Sequence, residues 1–507
     1  MRIKILILLL IILNTTNVIS QNKRDYKWVM GNNLVGLEGG DIIDFDNNRS
    51  IDTGFIAFPM GANCVNICDK DGNLLMYSNG CAIADKTHHI MEGGDSINYG
   101  SYWEKHCAPK YNAGYPGSHN TIILPEPSND NIEVAKYFLI HKKLTLKKDP
   151  LRIYAPILYY SKIDINDNKG KGKVIKKNIP IFKTRNLLNG YMTACKHANG
   201  KDWWIIQMEK DTNIYFKILL TKDTIMVVDS QSIGPNFSLN SSNSGQAVFT
   251  PDGSKWLCFN PVDKVLIYDF DRATGELSNL RRVNPQDSGR FVGIAVSSNS
   301  RFAYLSAKYD LYQIDLWEDD IQSSLVHIAH IDGFRDPTWP STFSLAQLGP
   351  DCKIYIVNGG TNNYLHVINK PNEKGKACDF RQHAFYLPNR NYNGSLPNFP
   401  HFRIDEDQIC DSTITWIPDE YIVKRINTLS VYPNPTPDIA TISLYSESFE
   451  YGKIEILDIN GRVMQNMDID TEATKEINVQ NYVPGVYMVR YISADGRKMD
   501  NEKLIVE

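Results

Sequence analysis

The stretch Thr250–Phe259 reads TPDGSKWLCF: a turn, one basic residue, then a short aromatic and aliphatic run. Asp252-Gly253 supplies the left-handed backbone position that a tight turn requires and that glycine adopts without a Cβ penalty. The apolar run that follows is too short for a helix and rich in strand formers. The same phrase returns as DKDGNLLMYS from Asp69, HANGKDWWIIQ from His197, SSNSRFAYLS from Ser297 and GPDCKIYIVNG from Gly349, with a less regular copy, NIEVAKYFLIH, from Asn131. Lys255, Arg301 and Lys353, the residues just before the run in three copies, lie 46 and 52 positions apart. Copies continue into a second strand and turn, as in VLIYDFDRATGELS (Val265–Ser278), DLYQIDLWEDD (Asp310–Asp320) and NYLHVINKPNEKG (Asn363–Gly375), where Thr274-Gly275 marks another tight hairpin. A β-sandwich needs about 100 residues per unit. The observed period is half that and fits propeller blades of about 40–50 residues. The expectation is an all-β chain whose body, residues 21–415, is a β-propeller of about seven blades, six of them visible. The seventh would close by pairing the strand around Lys27–Met30 with the strand before Asp411, which removes both open edges.

The two ends read differently from the body. Arg2 and Lys4 precede an apolar run from Ile5 to Leu13, and Val18-Ile19-Ser20 suits a signal peptidase, so residues 1–20 read as a signal peptide cleaved after Ser20. That run falls short of the roughly 20 apolar residues that span a bilayer, and no later stretch approaches this length. At the other end VYPNPTPD (Val431–Asp438), ILDINGRVM (Ile456–Met464), YVPGVYMVRY (Tyr482–Tyr491) and KLIVE (Lys503–Glu507) are strands separated by turn chemistry. Pro433, Pro435 and Pro437 deny backbone donors, so the first of these must enter as an extended edge. Asn460-Gly461 reads as a type I′ hairpin and Pro484-Gly485 as a second tight turn. Residues 429–507 are expected to form an immunoglobulin-like β-sandwich, joined to the body by a linker over residues 416–428.

These residues carry two resemblances. The tail resembles the type A C-terminal sorting domain of Bacteroidetes type IX secretion cargo: a YPNP opening, a D-x-x-G-R hairpin, a P-G-x-Y strand and a K-L-I-V ending occur in that order. The resemblance implies passage across the outer membrane, recognition by the type IX secretion machinery and its sorting peptidase, and release or attachment at the cell surface. The body is similar to propeller regions of secreted Bacteroidetes proteins. The likeness begins at KWVMGNNLVGLEG (Lys27–Gly39) and runs through DGNLLMYSNG, TIILPEPSND, LYYSKIDINDNKGKG, KNIPIF and CKHANGKDWWI to SLPNFPHF (Ser395–Phe402). It implies a fold and names no substrate. This chain departs from it by extra residues between Gly100 and Ser118 and by added cysteines.

Composition narrows the function classes. Lys plus Arg at 54 against Asp plus Glu at 58 gives a net charge of −4, with nothing that points to nucleic acid, and 27 tyrosines suit a β-rich body. Nine cysteines permit disulfides in an exported chain but cannot all pair. One bridge is expected among Cys64, Cys68, Cys81 and Cys107, whereas Cys258 and Cys352 sit in apolar patterns and read as buried thiols.

His88-His89, His106-Cys107 and His119 fall close together, but their spacing matches no zinc pattern and loop histidines are the better reading. Asp164, Asn166 and Asn168 imitate a calcium loop whose glycine, Gly170, arrives late and whose closing glutamate is missing, so a hairpin tip is preferred. Asp69, Asp71 and Gly72 read as an ordinary Asp-Gly turn. The chain contains no G-x-S-x-G elbow, no H-E-x-x-H helix and no phosphate loop. No catalytic, cofactor-binding or metal-ligating residue is therefore assigned, and no cofactor. A basic tract (Lys142, Lys143, Lys147, Lys148, Arg152, Lys162, Lys169, Lys171, Lys173, Lys176 and Lys177) could hold acidic glycans, but more simply keeps exposed hairpins soluble. The expected function is that of secreted or cell-surface cargo whose propeller binds an extracellular protein, glycan or matrix. The alternative is a secreted propeller enzyme, such as a hydrolase or lactonase, using acids and histidines at the channel mouth.

Overall fold

The computed structural model describes residues 22–404, apart from 32–39, 47–48, 62, 109–113, 129–132, 149–150, 238–244, 287–291, 337–338, 361 and 392–395, and residues 429–507, apart from 445–451, 470–473 and 494–498. The expected signal peptide (1–20) and linker (416–428) lie outside the described residues. The chain separates into two compact units that part between Ser412 and Thr413, the short stretch Arg335–Thr338 being grouped with the second. Among the described residues no helix is long and apolar enough to cross a membrane.

Among the described residues the first unit contains seven successive antiparallel sheets of three or four strands, each a simple meander in chain order. Sheets one and two have three strands each: Lys27–Met30, Gly40–Asp44 and Ser50–Gly54, then Val65–Cys68, Leu74–Ser78 and Ile83–Asp85. Sheets three to seven have four, and their first strands are Thr121–Pro125, Thr193–Lys196, Gln246–Phe249, Gly293–Val296 and Ala346–Leu348. In each of sheets two to seven a copy of the repeated phrase leads into the second strand and supplies it.

The turn chemistry explains why the phrase recurs. Asp252 Oδ1 accepts the Ser254 N–H at 2.9 Å, Asn299 Oδ1 that of Arg301 at 3.1 Å, and Asn199 Oδ1 that of Lys201 at 3.0 Å. Each side chain thus builds the turn from within. The basic residue that follows reaches the end of the third strand: Lys255 Nζ meets Asp269 at 2.7 Å, Arg301 meets Asp315 at 2.8 Å, and Lys353 Nζ meets Asn369 at 2.8 Å. Gly253 and Gly275 hold φ of +70° and +73°, as the hairpins demand.

Apolar cores lie between consecutive sheets. Trp204, Tyr215, Trp256 and Tyr268 bind sheet four to five, Leu257, Ile267, Ile294 and Leu305 bind five to six, and Tyr304, Phe343, Ile354 and Ile368 bind six to seven. First strands neighbour one another from sheet one to sheet three and from sheet four to sheet seven, and the long last strand of sheet seven, Phe380–Asn391, touches sheet one. Lys27–Met30 pairs with Gly40–Asp44, Trp28 opposite Ile43, and with no strand of sheet seven among the described residues; residues 405–411, where the closing partner was expected, lie outside the described residues. Sheets one and seven meet through side chains instead: Asn389 donates its N–H at 3.0 Å and its Nδ2 at 3.1 Å to buried Asp41, and Trp28 packs edge-on against Tyr355 at 5.3 Å.

Cysteine expectations divide. Cys81 and Cys107 form the bridge anticipated among the first four, stapling the helix Ser101–His106 to the end of sheet two. Cys258 is a buried free thiol, its pKa raised by burial, but Cys352 is disulfide-bonded and sits at the turn before its strand with φ of +60°.

The second unit holds a three-stranded sheet (Leu429–Tyr432, Ile439–Leu444, Thr474–Asn478) and a four-stranded sheet (Val463–Ile469, Gly452–Leu457, Gly485–Ser493, Met499–Val506) around a core of Leu429, Ile442, Ile454, Val489 and Leu504. Leu429–Tyr432 is an edge strand, as the prolines required, and Thr436 beyond it exchanges backbone hydrogen bonds with Ile505 and Glu507 at 3.0 and 3.1 Å. Both turn expectations are corrected. Asp458–Gly461 forms the hairpin turn with Gly461 alone at positive φ (+79°), whereas type I′ needs two such residues. The second turn is Val479–Tyr482, and Gly485 begins the following strand.

Candidate functional site: the filled centre of the body

Leu396–Ile404, LPNFPHFRI, runs between the first strands. Strands there present carbonyls with no neighbour strand, and a buried carbonyl left unpaired is costly. The segment answers this with side chains. Asn398 donates its N–H to Cys64 O at 3.1 Å and its Nδ2 to Thr121 O at 2.8 Å and Met192 O at 2.9 Å, so one residue joins sheets two, three and four. His401 Nε2 donates to Phe249 O of sheet five at 3.1 Å, and burial lowers its pKa to about 4. Pro397 and Pro400 lack the donors that an extended chain could not satisfy here. Arg403 closes the run with a paired hydrogen bond to Asp25 at 2.5 and 2.7 Å and a third to Asn22 O at 2.9 Å. Gln246 ties the remaining sheets: its Oε1 accepts from Ile294 N at 3.2 Å and Ala346 N at 3.0 Å. A cavity of about 20 Å³ beside Phe399 and His401 has room for roughly one water.

The residues weighed from sequence are placed as follows. Cys107 has its sulfur in the disulfide with Cys81. His88 Nδ1 lies 3.3 Å from the Tyr77 hydroxyl, His89 Nδ1 is 2.7 Å from Thr87 O, and the His106 ring packs tilted against Tyr102 at 4.5 Å. His119 is buried at the entry to sheet three with neither ring nitrogen hydrogen-bonded among the described residues, and burial lowers its pKa to about 4. Among the described residues no group of three or more His, Cys, Asp or Glu side chains could hold a metal ion. Asp69 Oδ1 accepts the N–H groups of Asp71 and Asn73, both at 2.9 Å, as a turn-building side chain does. Asp164 to Lys173 is the tip between two strands, with Asn168 and Lys169 at positive φ.

Among its described side chains the basic tract does not form one surface. Lys142 is fully buried, its ammonium donating to Leu188 O at 2.7 Å and Gly190 O at 2.5 Å, and burial lowers its pKa to about 7. Lys162, Lys173 and Lys177 are paired with Glu126, Glu92 and Asp95 at 2.7, 2.6 and 3.2 Å. The side chains of Lys147, Lys148 and Arg152 lie outside the described residues.

One array escaped the sequence reading because its members share no motif. His383 donates its backbone N–H to His366 Nδ1 at 3.3 Å, which leaves the His366 proton on Nε2, 3.3 Å from Ser341 Oγ. Ser341 can then donate to His383 Nδ1 at 3.4 Å, and His383 Nε2–H faces Asp332 at 3.2 Å. That is the hydrogen-bond polarity of a Ser-His-Asp triad. Burial runs the wrong way for nucleophilic attack: Ser341 is 2% exposed while the Asp332 side chain is 46% exposed. The adjacent Thr342 N–H is held by Asn358 Oδ1 at 2.9 Å, so it offers nothing to an oxyanion. The array fastens sheet seven to the loop after sheet six.

Comparison with known proteins bears on the second unit. Residues 430–507 match the family described as "Secretion system C-terminal sorting domain". The chain therefore ends in a secretion sorting domain, which implies handling by the type IX machinery and delivery to the cell surface or beyond it. No curated protein sequence matches the chain. Among solved structures, it is similar to a candidate 6-phosphogluconolactonase from Bacteroides uniformis (10% identity, 74% of this chain and 98% of that one, TM-score 0.41). It is also similar to PorZ, a surface component of the type IX secretion system of Porphyromonas gingivalis (11% identity, 93% of this chain and 68% of that one, TM-score 0.28). Both likenesses are too distant to assign a fold or an activity.

Proposed function

We propose that the protein is type IX secretion cargo whose body is a closed seven-bladed propeller that binds an extracellular protein, glycan or matrix component. The match of residues 430–507 to the sorting family carries the export half of this reading. Seven meander sheets in chain order, cores between neighbours and the packing of the last sheet on the first support the propeller. The filled centre favours binding over chemistry, because the channel mouth where a propeller enzyme gathers its acids and histidines is here bonded to the chain's own Asn398, His401 and Arg403. The test of export is deletion of Leu429–Glu507 in the native cell. The shortened chain should accumulate in the periplasm, and its arrival at the surface would refute the assignment.

A further inference from the structure

Cys352 is disulfide-bonded, and the cysteine count identifies its partner. The chain has nine cysteines. Cys81 and Cys107 are joined to each other, while Cys64, Cys68, Cys195, Cys258 and Cys378 are free thiols. Cys410, which lies outside the described residues, is the one left over. Chain length permits the bond: Cys352 lines one cavity with Pro400, His401, Phe402 and Arg403, and the chain from Arg403 to Cys410 can extend to about 25 Å. Cys352 also sits on a well-tied turn. Its N–H donates to Gly349 O at 3.0 Å, and the neighbouring Asp351 accepts from the Tyr355 hydroxyl at 2.8 Å and lies 3.8 Å from Arg49.

We infer that Cys352 and Cys410 form a disulfide, and that this bond locks the central segment Leu396–Ile404 in place. It closes a ring of chain that contains the last three strands of sheet seven and the whole segment. The segment is then fastened covalently to sheet seven at both ends, through Phe380–Asn391 before it and through the bond after it. Without the bond its hold is the hydrogen bonds of Asn398 and His401 and the ion pair of Arg403, which open locally and are lost once the end drifts away. With the bond the end stays within reach, because the cross-link removes most of the withdrawn conformations. The lock stands at the end of the body, Cys410 preceding the point between Ser412 and Thr413 where the two units part. Its formation takes two protons and two electrons from the two thiols and passes them to the disulfide of a thiol–disulfide oxidoreductase, which becomes a dithiol. The export reading supplies that acceptor by placing the chain outside the cytoplasm.

The test uses the full chain purified under oxidising conditions. The protein is unfolded without reductant, its free thiols are blocked with N-ethylmaleimide, and a tryptic digest is weighed by mass spectrometry. The peptides that contain Cys352 and Cys410 should appear joined and unlabelled; label on either cysteine, or either one joined to a different cysteine, overturns the pairing. The lock is read separately, as the rate at which trypsin cuts the folded chain after Arg403. Cys352→Ser with Cys410→Ser should raise that rate at least tenfold, each single variant should match the double, and dithiothreitol should add nothing further at this bond in the double variant. Where the double variant does not fold, dithiothreitol on folded wild type gives the same reading once labelling shows Cys410 reduced, since opening of Cys81–Cys107 exposes a different part of the chain. An unchanged rate after Arg403 with the Cys352–Cys410 bond absent refutes the lock. Failure of the truncation experiment above bears on export alone and leaves both readouts standing.

Discussion

Replacing Asp41 by asparagine probes the seam between the first and last sheets. Asp41 is fully buried with no cation beside it among the described residues; burial pushes its carboxyl from 3.8 up to about 7, and the hydrogen bonds from Asn389 only partly oppose this. Between these two values the folded chain keeps a proton that the unfolded chain has lost, so the Asp41 contribution to stability falls as pH rises from about 4 to about 7 and is flat above. Three pH units at about 1.4 kcal/mol each set the full loss near 4 kcal/mol, of which about 3 kcal/mol falls between pH 5 and pH 8. The amide that Asp41→Asn introduces does not titrate and still offers an oxygen to Asn389, at a cost of about 1 kcal/mol for the weaker acceptor. Wild type should therefore lose about 3 kcal/mol more than the variant between pH 5 and pH 8, and the variant should be the more stable at pH 8. Urea unfolding at both pH values, followed by tryptophan fluorescence, reads this directly, since Trp28 lies 5.3 Å from Tyr355 at the seam. A variant less stable by the same amount at both pH values would show that the ionised carboxylate is favourable there and would refute the reasoning.

Lys142 should behave with the opposite sign. Its folded pKa of about 7 lies below the usual 10.5, so the unfolded chain holds the extra proton and wild-type stability should rise from pH 7 to pH 10. Lys142→Met should abolish that rise while orphaning Leu188 O and Gly190 O, a loss of about 2–4 kcal/mol at high pH seen as a lower thermal midpoint. Cys81→Ser with Cys107→Ser opens a loop with a separation of 26 residues, for which chain entropy gives about 3–4 kcal/mol, and limited proteolysis should cut first near the helix Ser101–His106. Arg403→Ala leaves Asp25 buried without its partner and should cost about 3–5 kcal/mol in denaturant unfolding; Arg403→Lys should restore only part, since it cannot bond both carboxylate oxygens.

The strand pattern was legible wherever local chemistry set it. In TPDGSKWLCF and the strand after it, the side-chain-built turn and the ion-pair partner of its lysine, Asp269, lie close together in the chain, so sheet five and its counterparts announced themselves without tertiary information. Sheet one carries no such phrase, and its junction with sheet seven depends on Asp41 and Asn389, 348 positions apart, which no local pattern links. Lys142 was read as solvated because it stands among lysines. A period of two would have corrected this: Phe138, Ile140 and Leu144 share its side of the strand, and all are buried. The Asp458 turn was misread because Asn460-Gly461 satisfies two turn types, and the carboxylate of Asp458, accepting from Asn460 and Arg462 at 2.9 and 3.0 Å, chose between them.

The central segment was quoted from sequence for its likeness to other secreted chains, and its physical role could not be read from it. LPNFPHFRI has neither a period of two nor of 3.6, because its partners are spread over several sheets and not along one neighbouring strand. What the residues do show is a demand: two prolines that need no acceptor, two side-chain donors, two phenylalanines and an arginine make a segment suited to a buried tube of carbonyls. In the propeller proposed above, first strands gathered about one axis would create that tube, since their inner edges would have no further strand to pair. Water or chain must then fill it, and here the chain does so with hydrogen bonds to four sheets and an ion pair to Asp25. A ligand entering the centre would first have to break those bonds, which is why the proposed role is binding and not chemistry at the centre.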